Sequence, residues 1–569
     1  MRKSHVDKQG VAHQYESAYL RRTFREGGKV RNETVANLSV LPAHVVDGIE
    51  AGLKGQTLVP ADAAATITRS VPHGHVAAVW AQAVALDLPR LVGPPGRHRD
   101  MALALIISRV LHPASKLATG CWWDDTTLGA DLDVAGASTD EIYAAMDWLV
   151  DRQDAIQAKL AKRHLAPQAN PSGMALFDLS SSWVEGSCCP LAKRGYSRDG
   201  RKGSLQIEYG LLTDPAGCPV AIQVFPGNTA DPTAFLDAVA MVRDRFGLTE
   251  LVLVGDRGMI TKARITALRG DPGSHLGWLT ALRAPAIKTL ASHGGPLQPT
   301  LFDQQDLAEI SHPDYPRERL VACRNPFLAE QRARKRSELL HATENLLAPI
   351  IAAVSQGRLQ GADRIGLRVG KIINRYKMAK HFQVTITDTT LMITRNTTQI
   401  AAEAALDGIY VLRTSVPAEQ LDAAGVVTAY KNLAHVERDF RSLKVDDLDL
   451  RPIYHRLEDR VRAHVLICML AGYLTWHLRR TLAPLTFTDT QPPVRDNPVA
   501  PATRSVSATR KASTHTAEDG HPVRSFRGLL DHLATLTRND IQYGPDGPIV
   551  PTLAIPTPTQ RRVYELLDT

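Results

Sequence analysis

The chain has 569 residues, 44% hydrophobic and 22% charged, with 39 glycines and 35 prolines. That ordinary globular composition excludes wholesale disorder and collagen-like architecture, and at ~150 residues per domain it allows three or four domains. Lys and Arg outnumber Asp and Glu by 67 to 59, a net charge of +8 that favours a polyanionic partner.

The six cysteines (Cys121, Cys188, Cys189, Cys218, Cys323, Cys468) are sparse and none is spaced as CxxC, which sets aside zinc ribbons and disulfide-stapled modules. The start, MRKSHVDKQG, lacks the apolar centre of a signal peptide. The most apolar late stretch, 463–476, is shorter than the ~20 residues of a membrane span. The expectation is a cytoplasmic protein with no membrane partner.

In chain order, residues 15–41 read as two short basic strands joined at Gly27-Gly28. Residues 100–111 are apolar at helical spacing. Ser138, Thr139 and Asp140 offer N-caps for a helix through Met146, Leu149, Ile156 and Leu160. Residues 1–45 are therefore expected as a β-hairpin segment and 46–170 as a helical region for DNA binding or dimerisation.

The pattern then turns to strands. MALFDLSSSWV (174–184) is apolar and β-prone, LQIEYGLLTD (205–214) alternates, and PVAIQVFPG (219–227) returns after the Asp214-Pro215-Ala216-Gly217 turn. Asp231-Pro232-Thr233 starts a helix through Phe235, Val239, Val242 and Phe246 that ends at Gly247. ELVLVGD (250–256) is a buried-strand run, 260–268 a helix and HLGWLTAL (275–282) a strand. This β-β-β-α-β-α-β order predicts an α/β fold with an RNase H-like mixed sheet flanked by helices. Residues 171–284 would form its first part and 417–484 its second. Between them, 285–416 reads as a mainly β insertion subdomain that includes a basic helix (331–350) and the strands at 381–395 and 408–415. The Pro/Thr/Ser/Arg-rich residues 485–524 read as a linker, and 525–569 as a tail with a short amphipathic helix.

Three acids stand out. Asp178 lies inside an apolar strand, where a carboxylate needs a cation or a hydrogen-bond network. Asp256 falls just past the fourth strand, at the carboxyl end where open α/β sheets place ligand groups, and Arg257 follows it. In TAYKNLAHVERDFRSLK (428–444), Ala429, Leu433, Val436, Phe440 and Leu443 define one buried helix face. Glu437 sits on the edge beside that face, together with Tyr430, Arg441 and Lys444. Carboxylates brought together repel unless a cation neutralises them, and oxygen-only donors suit Mg²⁺ or Mn²⁺. A pair of such ions supports phosphoryl transfer. The basic run Lys193, Arg194, Arg198, Arg201 and Lys202 is placed to track a DNA backbone beside that cluster, and Trp183 is a candidate for stacking on a base. Cys188-Cys189 reads as buried or inert, and His435, His464 and His477 as packing or solvent-facing groups.

FDLSSSWVEG, then LAKRGYSRDGRKGSLQIEYGLLTDPAGCPVAIQVFPGNTADP, then LVGDRGMI resemble the catalytic core of bacterial insertion-sequence DDE transposases of the IS-four-like superfamily. The resemblance spans most of 15–480. It implies an RNase H-like core interrupted before the catalytic glutamate, with Asp178, Asp256 and Glu437 as catalytic and metal-binding residues for two Mg²⁺ or Mn²⁺ ions. The superfamily's glutamate-helix signature is matched at Tyr430, Glu437 and Lys444. Its arginine position holds Leu433, with Arg438 or Arg441 as substitutes, and Lys444 is expected at a terminal phosphate. Implied DNA contacts are Lys193, Arg194, Arg198, Arg201, Lys202, Arg257, Tyr430, Arg441 and Lys444. The implied activity is cleavage at the terminal inverted repeats and strand transfer into target DNA by a homodimer on double-stranded DNA in the bacterial nucleoid. A nuclease without strand transfer and a catalytically silent DNA-binding protein are the alternatives.

Overall fold

The computed structural model describes residues 2–6, 12–56, 65–269, 275–495, 497–544 and 546–568. The chain divides into two units, 1–71 with 537–554, and 72–536 with 555–569.

In the first unit, strands Tyr19–Glu26 and Lys29–Asn37 form the expected antiparallel hairpin. Gly27 and Gly28 turn it with φ of 59° and 78°, a region that costs glycine little. Strand Thr66–Pro72 belongs to a three-stranded sheet with Thr537–Gln542 and Ile549–Leu553. The boundary after Val71 therefore replaces the one expected at 45, and part of the expected tail is built into a sheet.

In the second unit, helices α1 (Gly74–Ala85), α2 (Arg97–Leu111), α3 (Thr139–Val150) and α4 (Gln153–His164) precede the sheet. Ser138 and Glu141 form a capping box that starts α3. The single helix expected from 138 onwards is broken between α3 and α4. Every residue of α2 from Met101 to Leu111 is buried, so α2 is an interior helix rather than an amphipathic surface one.

The sheet begins with β1 (Met174–Trp183), β2 (Leu205–Thr213) and β3 (Pro219–Pro226), each antiparallel to the last. Helix α5 (Asp231–Ala240) continues as a π-helical turn, Met241–Arg245, and leads to β4 (Val252–Gly255). β4 runs parallel to β1, and after α6 (Lys262–Arg269) strand β5 (Gly277–Ala281) runs parallel to β4. The resulting order β3-β2-β1-β4-β5 is the RNase H-like arrangement.

Beyond β5 the sheet continues through residues assigned on sequence to the insertion. Strands β6 (Leu307–Ile310) and β7 (Arg319–Arg324) pair with each other. Strand β10 (Ile409–Thr414) pairs antiparallel with both β7 and β5. The part that leaves the sheet carries α7 (Pro326–Ser355, 30 residues), α8 (Ala362–Ile373), the hairpin β8 (Phe382–Ile386)–β9 (Leu391–Arg395) and helix Thr397–Ala404. It buries its own cluster around Leu347, Ile350, Ile365 and Val369. Helix outweighs strand there, because the apolar periodicity of 340–369 closes α7 against α8.

Helices α9 (Ala423–Lys431) and α10 (Leu433–Arg441), joined at Asn432, replace one straight helix over 428–444, and a π turn, Ser442–Asp446, follows. Helix α11 (Glu458–Thr481) is long and apolar enough to cross a membrane. Its residues from Val461 to Leu478 are nevertheless mostly buried as the core of this unit.

Among the described residues, parts of 485–524 are packed rather than a loose linker. Val499 is fully buried, and helix α12 (Val506–Thr514) interrupts the stretch. The Lys511 ammonium donates to the carbonyls of Ala483, Thr486 and Thr488 at 2.9, 3.2 and 3.1 Å. Lys431 likewise donates to Pro498, Val499 and Ala500. Buried Lys511 and half-buried Lys431 thus satisfy backbone carbonyls that a proline-rich segment cannot place in a ladder.

Candidate functional site

Parallel pairing of β1 with β4 sets Phe177 opposite Gly255, so the next residue on each strand, Asp178 and Asp256, emerges side by side. Asp178 is partly buried, and its Oδ1 accepts the Leu179 N–H at 2.8 Å. Asp256 is exposed, and its carbonyl accepts the Met259 N–H, closing the turn after β4. On α10, Leu433, Val436 and Phe440 are buried while Glu437 is exposed, as the helical spacing requires. Ala429 and Leu443 complete that buried face. Asp256 and Glu437 both act on the Asp178 carboxyl. Burial pushes the Asp178 carboxyl up to about 7, with Asp256 and Glu437 raising it and the Leu179 N–H and Arg198 opposing them. Tyr430, on α9, donates its hydroxyl to Asp256 at 3.5 Å, and burial followed by the Asp256 charge raises its own pKa.

Two further acids, not singled out on sequence, pair with Arg198. Asp231 begins α5, and Glu208 faces inward from β2 at 2% exposure. A Cβ on Gly258 would lie 3.4 Å from an Asp231 oxygen and 3.9 Å from an Asp256 oxygen, so these carboxylates approach within about 7 Å. Arg198 sits among them, 2.5 Å from Asp231 and 3.5 Å from Glu208. Burial drives Glu208 up to about 7, with Arg198 lowering it and Asp231 raising it. The signal for Glu208 in the sequence was a lone acid in an otherwise buried strand.

The basic loop is pressed onto the sheet. The Arg198 N–H bonds Ser181 Oγ at 2.9 Å, and any Cβ on Gly195 would collide with the Gly227 carbonyl. Lys193, Arg194, Arg201 and Lys202 are exposed, as are Arg257 and Arg441. Arg198 and Lys444 are not open in this way. Lys444 is buried and donates to Asp199 at 2.8 Å, and Arg451 pairs with the same carboxylate. Both expected phosphate ligands are therefore occupied by protein acids. Trp183 is held between two guanidiniums, with Arg201 4.0 Å and Arg451 4.9 Å from its ring centre. Arg451 carried no sequence signal.

Other expectations on side chains resolve individually. Cys189 is buried, whereas Cys188 is exposed. His464 is buried, with Nε2 3.0 Å from the Leu450 carbonyl, and His435 packs beside Gly217. His477 lies with Cys218 and His164.

The RNase H-like sheet, with an acid inside β1 and another just past the end of β4, defines the fold class. The model of the transposase DDE domain matches residues 181–474, slightly more than half of the chain, and the chain belongs to that family. The match contains Asp256 and Glu437 and begins three residues after Asp178. Among solved structures, the chain is similar at 9% identity to the piggyBac transposase synaptic complex with hairpin DNA, with a TM-score of 0.33 over 81% of this chain and 76% of that one. It is also similar at 10% identity to the Mos1 transposase paired-end complex with left transposon end, with a TM-score of 0.14 over 35% and 63%. No match is found among curated proteins.

Proposed function

We propose that this transposase is an insertion-sequence enzyme of the IS-four-like kind. It would bind the inverted ends of its element as double-stranded DNA, pair them as a homodimer, cut the 3′ ends and join them to target DNA. Residues 46–170 would supply end binding or dimerisation. The observation that carries the reading is the shared electrostatic neighbourhood of Asp178, Asp256 and Glu437.

These three carboxylates are the residues that would hold two Mg²⁺ or Mn²⁺ ions. Their fit rests on the chemistry of the donors: all are oxygen ligands, and burial with two acidic neighbours pushes the Asp178 carboxyl up to about 7, a strain that a cation would offset. Such ions, when bound, supply polarisation of the attacking oxygen and charge stabilisation of the leaving one. The chain's own residues do the rest. Asp178 releases its proton when the acids take up positive charge. Tyr430 orients the Asp256 carboxylate. Exposed Lys193, Arg194, Arg201, Lys202, Arg257 and Arg441 neutralise backbone phosphates and set register on the duplex. Arg198 and Lys444 hold Asp231, Glu208 and Asp199, so their part is to position the acids and the basic loop.

The test is purified protein on a supercoiled plasmid carrying the gene with its natural flanks, in Mg²⁺ or Ca²⁺, alongside Asp256→Ala. Cleavage at inverted repeats with joined products, only in Mg²⁺ and only with Asp256 intact, is expected. Cleavage without joining would replace the proposal with a nuclease, and full activity of Asp256→Ala or Asp178→Ala would remove it.

A further inference from the structure

A second cluster of ligand-type side chains lies at the β2–β3 turn, apart from the acid cluster. The turn is built by Asp214, whose Oδ1 accepts the N–H groups of Ala216 and Cys218 at 2.9 and 2.8 Å. That capping aims the Cys218 side chain into the core, where it is fully buried. Two histidines from distant parts of the chain meet it there, His164 at the last position of α4 and His477 near the end of α11. One ligand atom from each of the three residues lies within 4.8 Å of the others. Cys218 Sγ is 3.7 Å from His477 Nε2, and Asp214 Oδ2 is 3.8 Å from His164 Nδ1.

We propose that His164, Cys218 and His477, with Asp214 beside them, form a transition-metal site of the zinc class. Metal–sulfur and metal–nitrogen bonds of about 2.3 and 2.0–2.1 Å at tetrahedral angles put sulfur and nitrogen about 3.6 Å apart and two nitrogens about 3.3 Å apart. The Cys218–His477 separation already matches. The separations from His164 need to close by about 1.5 Å at most, and its ring already contacts the Tyr473 hydroxyl at 3.1 Å. One sulfur and two imidazole nitrogens select a borderline-soft ion, unlike the oxygen set at Asp178, Asp256 and Glu437.

Nearby charge sets the electrostatics. Arg163 and Arg480 act on the cluster from α4 and α11, while His435 and Asp439 face the turn from α10, and Asp214 is the nearest acid. Burial disfavours the charged form of both cluster histidines. Cys218 would transfer its proton to solvent as the sulfur–metal bond forms, leaving a net gain of one positive charge opposite Asp214. The ion would tie α4, the β2–β3 turn and α11 together, and α10 packs against the same turn through His435. It would thereby brace the helix that carries Glu437.

The test uses the full chain and Co²⁺ as a spectroscopic substitute. Titration should give a thiolate-to-cobalt charge-transfer band that saturates at one equivalent. The band should vanish in Cys218→Ser and require more than about tenfold more cobalt in His477→Gln. It should persist in an Asp178→Asn/Asp256→Asn double variant, which separates it from the acid cluster and from the transposase reading. No band in the wild type overturns the site. So does a band unchanged in Cys218→Ser, which would place the thiolate at another cysteine. If Cys218→Ser fails to fold, the wild type decides through its melting temperature: a rise with one equivalent of Zn²⁺ that persists in the double variant supports the site, and its absence overturns it.

Discussion

Asp178→Asn should make the metal-free protein more stable by an amount that grows as pH rises from about 4 and levels off above about 7. The Asp178 carboxyl has an ordinary value of 3.8 and is driven to about 7 in the fold, first by burial and then by Asp256 and Glu437. Between those values the unfolded chain has lost this proton while the folded chain keeps it, so stability falls as pH rises and stays low above about 7. Three units correspond to a ceiling of about 4 kcal/mol. Asp178 keeps some solvent access, so screening reduces the expected loss to about 1–2 kcal/mol. Asparagine retains an acceptor for the Leu179 N–H but cannot ionise. In chelator at pH 8 the variant should therefore melt a few degrees above the wild type, and at pH 4 the two should coincide. Glu208 titrates in the same window in both proteins and cancels in the difference. Melting curves from pH 4 to 8.5, repeated with Mg²⁺, measure this directly. Magnesium should raise the wild-type midpoint at pH 8 more than that of the variant. A variant less stable than wild type at pH 8, or a difference that does not change with pH, would refute the idea that these acids are mutually strained.

Arg198→Met should cost about 2–4 kcal/mol, because Glu208 is left buried without its cation, and adding Glu208→Gln should recover much of that in denaturant titrations. Lys511→Met removes three N–H···O bonds, so residues 485–505 should be cleaved faster in limited proteolysis while the sheet core remains resistant. Lys193→Ala and Arg201→Ala should each reduce the salt dependence of DNA binding by about 0.9 in slope, measured by titration at several ionic strengths; an unchanged slope would take those side chains off the phosphates.

The core of the fold could be read in the sequence where its signal is local. The alternation in 205–214, the apolar run at 250–256 and the five-residue buried face around Glu437 all reflect burial, which each segment encodes on its own. The two aspartates were readable for the same reason: a charge inside or just past a buried strand needs a partner. Pairing across long separations was not readable. GIYVLRTS reads as a strand, yet nothing in it states that it continues the sheet beside β5, more than 120 residues earlier. Composition misled at 485–524, where Lys431 and Lys511 bond backbone carbonyls of the proline-rich stretch.

The same limit explains the charges. A run such as Lys193 to Lys202 is equally basic whether its members face solvent or each other's acids, and only the fold assigns Arg198 to Asp231 and Glu208 while leaving its neighbours exposed. That division has a chemical consequence. With Arg198 engaged between Asp178 and the two added acids, the cluster already holds one fixed positive charge before any ion or DNA arrives. Arg198 therefore lowers the repulsion among these acids, acting directly on Asp178 as well as on Glu208 and Asp231. Removing either acid would take one of its two carboxylate partners from the guanidinium. Glu208 and Asp231 thus act as anchors that keep the arginine close enough to balance charge and too constrained to replace the cation.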